Sequence, residues 1–487
     1  GSSGQGQPSA FRPAPLRASM AALVEAARLL AASDPGGHAD HYLPVQGDIF
    51  DGELGLGPLV VSTLLVVSLG ALAAGAGIGG GGLFVPIYAF VLGVGAKAAV
   101  PLSKATILGG AIGNMLSIAF ARHPDPEKNR PLIDYEASTF MQSGELLGVV
   151  FGVLLNMVLP DVLIIAFLAC LLAFNAYKTL RKGISKYREE TRKRKAQRTS
   201  SESPPKPQVA EGTCVPTPPR SYEAADNTKP VVVVAPPSSK LQEVLAEDAV
   251  QFPKWAWAMT LCMTLYTVAY AWVKKTFLST CEPIEYWLWY FSPVPVLCGC
   301  MYLTALILKS RHRRRVEAGY HFMGDGEECP EYRDLKWTDE TMRQYPLIAL
   351  LAGVSAGLLG IGGGMVIGPL FIHLDMQPKV GSSSCAYMIL WTAASGVIQY
   401  MFAGKLGIQF VLFGVAVGFV SGQLGQRAVD HVLQKSGRPS YVIFLLGGIV
   451  AVACVAMTTS GIFKLAEGFM EGEDMFEFDI DDFMCRG

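Results

Sequence analysis

Long apolar runs follow one another through most of this 487-residue chain, and they constrain its fold more than any other feature. A transmembrane helix needs about 20 mostly apolar residues, because the hydrocarbon core of a bilayer is about 30 Å thick. The runs therefore predict an all-α polytopic membrane protein, and they make a transporter the first function to consider. They lie at about 58–76, 82–95, 101–121, 138–159, 161–179, 254–274, 288–309, 346–360, 364–375, 382–402, 406–428 and 440–463.

Charge and cysteine content exclude several other classes of protein. Lysine and arginine total 40 and aspartate and glutamate total 41, so no bulk charge favours binding to nucleic acid. Ten cysteines are too few for a disulfide framework, and most lie inside apolar runs. Cys298-Gly-Cys300 lacks partners at metal-ligand spacing. We therefore predict no metal, no cofactor and no catalytic residues.

Basic clusters predict the orientation of the chain in the membrane. One basic stretch begins near Lys178, and a second one ends the apolar run at 288–309. Short loops rich in lysine and arginine stay on the cytoplasmic side. We therefore expect loops 180–252 and 309–345 to be cytoplasmic. The sequence leaves open whether the membrane is the plasma membrane or that of an organelle.

Composition also divides the chain into membrane and non-membrane segments. The Pro-rich stretch 203–237 cannot bury enough apolar surface to order itself, and residues beyond Glu467 form an acidic tail. Either segment offers a binding place for a partner protein. In order, the predicted segments are an N-terminal extension or targeting remnant (1–56), a first transmembrane repeat (57–180), a basic and Pro-rich disordered linker (181–252), a two-helix insert (253–310), a cytoplasmic loop (311–344), a second transmembrane repeat (345–465) and the acidic tail (466–487).

A glycine-rich string that occurs twice indicates an internal duplication. Gly77-Ile-Gly-Gly-Gly81 recurs as Gly360-Ile-Gly-Gly-Gly364, and Pro86 matches Pro369 at the same offset. Further apolar runs follow each copy in the same order, as expected for repeats. We predict two repeats of a glycine-broken helical hairpin plus three transmembrane helices, with two extra helices between them.

The direction of the second repeat depends on how the glycine-broken pair crosses the membrane. If each pair enters and leaves on one side, each copy makes three net crossings and the copies are inverted. If each pair crosses once as a broken helix, the copies are parallel. We favour inverted repeats, since transporters recurrently combine them with discontinuous helices.

The glycine clusters are the strongest candidates for a binding site. Glycines inside an apolar run break the helix and let a ligand approach the backbone. The half-helix that follows each cluster presents unpaired N–H groups and the positive end of its dipole, which favours an anion. Close packing of helices through small residues remains the alternative interpretation.

Polar residues inside the runs are the next candidates, because ionisable groups in a membrane are costly. Lys104 supplies positive charge to an anion pathway or extends its ammonium group to the interface. Glu145 is either a proton carrier or, as we favour, an interfacial residue. Asn114, Asn156 and Gln399 either line a polar path or form hydrogen bonds between helices.

Several strings resemble the TauE/SafE family of sulfite exporter-like membrane proteins, and in particular its plant-type members. They are Gly77–Pro86, Leu102–Thr106, Arg130–Tyr135, Gly360–Phe371 and Gly437–Phe444. The resemblance implies a two-repeat helical transporter of sulfite or a sulfonate-type anion. The long linker, the acidic tail and the N-terminal extension lie outside the resembling core.

We therefore predict a secondary transporter that moves a small sulfur-containing anion by alternating access. The alternative is a structural or scaffolding membrane subunit that recruits partners through its linker and tail. The sequence leaves the substrate, the direction of transport and the oligomeric state open. Candidate substrate-binding residues are Gly77, Gly79, Gly80, Gly81, Gly82, Pro86, Ser103, Lys104, Gly360, Gly362, Gly363, Gly364, Pro369 and Ser384.

Overall fold

The computed structural model describes most of the chain between residues 56 and 465. Described are 56–75, 81–123, 129–201, 239–277, 288–320, 322, 334–335, 337–374, 376–436 and parts of 444–465. The N-terminal extension, the stretch 203–237 and the acidic tail therefore lie outside the described residues, as do Gly77, Gly79 and Gly80 of the first glycine cluster.

The described residues form helices, and one isolated β-bridge pairs Arg122 with Pro131. Seven helices of the described part are long and apolar enough to cross a bilayer, which confirms the prediction of an all-α polytopic membrane protein. The helices are α1 (Leu56–Gly75), α2 (Gly81–Val91), α3 (Ala96–Ile118), α4 (Tyr135–Val158), α5 (Asp161–Ser201), α6 (Ser239–Asp248), α7 (Lys254–Phe277), α8 (Pro293–Glu317), α9 (Asp339–Leu359), α10 (Gly364–His373), α11 (Pro378–Phe402) and α12 (Ile408–Ser436).

Local side-chain chemistry sets where α4 and α9 begin. The Asp134 carboxylate accepts hydrogen bonds from the backbone N–H groups of Glu136 and Ala137, which caps α4. Burial raises the pKa of the Asp134 carboxyl. Thr338 and Thr341 form a reciprocal capping box at the start of α9.

Glycines let α4 and α9 pack at backbone contact. A side chain at Gly148 would overlap the Leu350 carbonyl, and one at Gly152 would approach Gly357 Cα to 2.8 Å. Residue numbers rise together along both helices, so α4 and α9 run in the same direction. Small residues allow this close approach, which is how helices gain dispersion energy inside a membrane.

A second glycine-lined pair joins α3 and α12. A side chain at Gly109 would meet the Val415 backbone, and one at Gly113 would lie 3.0 Å from the Phe419 carbonyl. Here too the residue numbers rise together, so α3 and α12 are parallel. These two interfaces form the centre of the bundle.

The short helix α10 returns the chain to the end of the bundle where α9 begins. Trp337, just before α9, and Val380, in the first turn of α11, line the same cavity. The chain therefore enters through α9, breaks at 360–363 and comes back through α10. The pair is a hairpin that starts and ends on one side.

Both described ends of the predicted linker are helical. α5 continues through the basic stretch to Ser201, and α6 covers Ser239–Asp248. The basic residues extend α5 because lysine and arginine are good helix formers. The stretch 203–237, for which disorder was predicted, lies outside the described residues, and contacts with the bundle, described below, hold α6.

Candidate functional site

The second glycine cluster forms a tight, buried turn between α9 and α10. Gly360 has φ 65° and Gly362 has φ 71°, a left-handed conformation that side chains other than glycine rarely adopt. Ser103 Oγ donates a hydrogen bond of 2.8 Å to the Gly360 carbonyl, which satisfies a polar group that the end of α9 leaves free. Glycine here is required by backbone geometry as well as by space.

The half-helices α2 and α10 begin beside each other. A side chain at Gly81, the first residue of α2, would overlap the Ile361 backbone. A side chain at Gly82 would lie 2.7 Å from the Met365 side chain in the first turn of α10. The structure thus brings together the described part of the first glycine cluster and the whole of the second.

Lys104 and Glu145 lie in the interior of the bundle next to this turn. Both have 0% of their surface exposed, and the two charges interact electrostatically. A side chain at Gly363 would overlap Glu145 Oε1, and one at Gly396 on α11 would lie 3.6 Å from Lys104 Nζ. Lys104 therefore does not extend to the interface, and the interfacial position expected for Glu145 was wrong.

The interfacial expectation failed because the apolar run starts later than the helix. Hydropathy placed the run at 138–159, whereas the Asp134 cap starts α4 at Tyr135. Glu145 therefore lies ten residues along α4, which corresponds to about 15 Å at 1.5 Å per residue. Glu145 is thus nearly halfway along this 24-residue helix.

The remaining sequence candidates do not all lie at the turn, since Ser384 lies at the start of α4. Pro86 is buried within α2, and Pro369 lies within α10. Ser384 Oγ accepts a 2.9 Å hydrogen bond from the backbone N–H of Asp134, so this hydroxyl supports the start of α4. Asn156 donates to the Leu358 carbonyl at 2.8 Å, which is a bond between helices.

A polar face of α4 escaped the sequence reasoning. Thr139, Gln142 and Glu145 are all 0% exposed and follow one another at three-residue spacing on one face of the helix. The Gln142 side chain and the Thr139 hydroxyl have no hydrogen-bond partner in the described structure. Three polar residues spaced three apart within an apolar run were the sequence signal that could have identified this face.

A charged cluster lies at the N-terminal end of the same helix. The Glu136 carboxylate accepts hydrogen bonds of 2.8 Å from Arg311 and Arg315, near the end of α8. Asp248, the last residue of α6, accepts one of 2.7 Å from Arg315. Glu136, Asp248 and both arginines line a cavity of about 90 Å³. The end of the linker is therefore fastened to the bundle.

The central arrangement combines groups that attract an anion with a group that competes with it. The N-terminus of α10 and the Lys104 ammonium favour negative charge, and the Glu145 carboxylate lies against the same turn. Positive dipole ends and a cation in a medium of low polarity attract negative charge strongly. No group of three or more His, Cys, Asp or Glu residues suited to a metal ion occurs in the described part of the chain.

The chain is similar in sequence to known membrane proteins. The family model described as "Sulfite exporter TauE/SafE" matches residues 60–213 and 249–463. Sulfite exporter TauE/SafE family protein 3 of Arabidopsis thaliana is 27% identical over 84% of this chain and 79% of its own length. Family proteins 2 and 1 of the same plant are 27% and 26% identical, each over at least 85% of both chains. No solved structure matches the chain.

Proposed function

Because the chain belongs to the TauE/SafE family of sulfite exporter-type membrane transporters, we propose that it is a secondary transporter of a small sulfur-containing anion. The substrate is sulfite, a sulfonate or a related oxyanion, bound where α2 and α10 begin. The observation that carries the proposal is the buried glycine turn at 360–363, which lies against Gly81 and beside Lys104 and Glu145.

The site binds an anion mainly through backbone dipoles and one cation. The positive end of the α10 dipole lies at the glycine turn, and it attracts the negative charge of a sulfur oxyanion. Lys104 adds a full positive charge in a medium where charges are weakly screened. The glycines keep the space free that an oxyanion of a few atoms requires.

Two halves of opposite direction support a mechanism of alternating access. α12 runs parallel to α3, and its Gly425 contacts Ala71 near the end of α1 while Ser421 contacts Val66. Because α12 is parallel to both α1 and α3, this packing supports a start of α1 and α3 at the same end of the bundle. The intervening helix α2 then returns the chain to the end where α1 began, so α1 and α2 also form a hairpin. The α9–α10 hairpin starts at the other end. Inverted repeats of this kind transport by rocking one half against the other around a fixed site.

A proteoliposome assay tests the binding site. In Gly363→Val the new side chain overlaps the Glu145 carboxylate, so we expect sulfite uptake to fall at least tenfold. Gly368→Ala, in the helix that follows Gly363, is the control, because nothing lies within 4 Å of the added carbon. Equal uptake by the two variants, with equal reconstitution and melting temperature, would contradict the site.

The same assay separates transport from the scaffolding alternative. The transporter hypothesis requires sulfite flux from the purified chain, and flux that persists when residues 203–237 are deleted. A scaffolding subunit would show no flux in either form and would lose its partners on deletion. Co-purification measured beside uptake distinguishes the two functions.

A further inference from the structure

The Glu145 carboxylate lies where a bound anion would lie. Its Oε1 occupies the position that a side chain on Gly363 would take, and Gly363 directly precedes the first turn of α10. The positive end of the α10 dipole favours negative charge at this place. A carboxylate of the protein itself therefore competes with any anion that binds there.

Neither charge of the buried pair is satisfied by the protein. Glu145 Oε1, Glu145 Oε2 and Lys104 Nζ are all buried without a hydrogen-bond partner in the described structure. Their charges interact but do not form an ion pair within 4.0 Å. Buried charges are normally paired and hydrogen-bonded, since desolvation is costly. The pair is thus arranged to accept further ligands.

Among the described residues near the Glu145 carboxyl, the charged partner is Lys104. The Cys385 thiol on α11 also interacts electrostatically with Glu145. From α9 the backbone approaches at Gly353, and from α10 at Gly363. α7 and α8 pack against the next residues of α4 through apolar side chains such as Met263 and Leu297. A change of charge at Glu145 therefore has one counter-charge nearby.

We propose that Glu145 couples anion binding to uptake of a proton. Without substrate, the carboxylate holds the anion position beside Lys104. When the anion takes that position, the carboxylate moves aside and takes up one proton from the same aqueous side. This inference rests on the transport function proposed above.

Charge balance in the apolar interior is the physical reason for the coupling. Lys104 and Glu145 together carry no net charge, so a monovalent anion alone would leave one uncompensated negative charge. A proton on the Glu145 carboxyl restores neutrality, which avoids the desolvation cost of that charge. On the opposite side the anion leaves, the proton leaves the carboxyl to water, and the carboxylate returns. The result is symport of one proton with each monovalent anion.

Proton uptake on binding tests the coupling directly. The full-length protein in detergent and weak buffer is mixed with methanesulfonate or with sulfite, and a pH indicator dye reports protons bound. Methanesulfonate stays ionised across the accessible pH range, so its protons are taken up by the protein. We expect about one proton per bound anion, and an affinity that weakens up to tenfold per pH unit above the titration of the carboxyl.

Two variants assign the proton to Glu145. Glu145→Gln should bind the anion with no proton uptake and with an affinity that does not depend on pH. Glu145→Asp keeps a carboxyl and should restore proton uptake, which separates a coupling role from a merely structural one. Both variants should show the melting temperature and the elution volume of the unmodified protein, which establishes that they are folded.

The outcomes separate this inference from the function on which it rests. Anion binding without proton uptake by the unmodified protein, or unchanged uptake in Glu145→Gln, overturns the coupling and leaves the transport function standing. Absence of binding for both anions overturns the proposed function and the coupling together. If Glu145→Gln does not fold, the number of protons taken up per bound anion by the unmodified protein and by Glu145→Asp still tests the coupling.

Discussion

The guanidinium group of Arg315 forms a bidentate ion pair with Glu136. Its two terminal nitrogens each lie 2.8 Å from a different carboxylate oxygen, and both side chains are about 15% exposed. The pair joins the end of α8 to the start of α4, the helix that carries Glu145. Paired geometry of this kind is the strong form of a charge-assisted hydrogen bond.

Removing this arginine should destabilise the end of the bundle where α4 begins. Arg315→Gln removes a positive charge that balances the carboxylates of Glu136 and Asp248. Breaking a mostly buried ion pair lowers the free energy of unfolding by about 3 kcal/mol. Arg313→Gln removes an exposed pair with Glu317, for which about 0.5 kcal/mol or less is expected. Thermal unfolding in detergent should show a lower melting temperature for Arg315→Gln alone. Equal melting temperatures would contradict the structural role.

The contacts of Asp248 should hold the α6 segment against the bundle. Asp248→Asn weakens the bond to Arg315, so the amides of residues 239–248 should exchange with deuterium several-fold faster. Glu243→Gln changes an exposed carboxylate of the same helix and serves as the control. Hydrogen exchange by mass spectrometry measures both variants. Unchanged protection in Asp248→Asn would show that the ion pair does not hold α6.

The glycines between α4 and α9 should tolerate no side chain. Gly148→Val places atoms on the Leu350 carbonyl and should separate the two helices, which lowers stability by more than about 3 kcal/mol or prevents folding. Gly299→Ala, in α8, adds a methyl group with no neighbour within 4 Å, so no loss of stability is expected. Yield and melting temperature report the difference. A well-folded Gly148→Val would contradict the backbone contact.

The hydroxyl of Ser103 should stabilise the glycine turn and thereby the anion site. Ser103→Ala removes the bond to the Gly360 carbonyl, so we expect a loss of about 1 kcal/mol and a KM for sulfite raised several-fold. Ser117→Ala is the control, since that exposed serine of the same helix bonds within α3. Uptake into proteoliposomes gives KM and the maximal rate separately. An unchanged KM would separate the serine from substrate binding.

Much of the secondary structure was predictable because hydropathy and glycine act locally. The run predicted at 346–360 and the short one at 364–375 correspond to α9 and α10, with the break at the predicted glycines. Helix starts were less predictable, as α4 shows. The Asp134 cap starts this helix at Tyr135, three residues before the predicted apolar run begins. The start of a helix depends on one capping side chain, whereas the hydropathy of a run averages over many residues and is therefore easier to recognise.

The sequence by itself determined that this chain spans a membrane through helices, and that glycines interrupt two of the apolar runs. Those properties follow from the cost of polar groups in lipid and from the backbone freedom of glycine. The tertiary structure decided that Lys104, Glu145 and the turn at Gly363 meet in the interior. Such meetings depend on how helices distant in the chain pack, and no local pattern of residues records that packing.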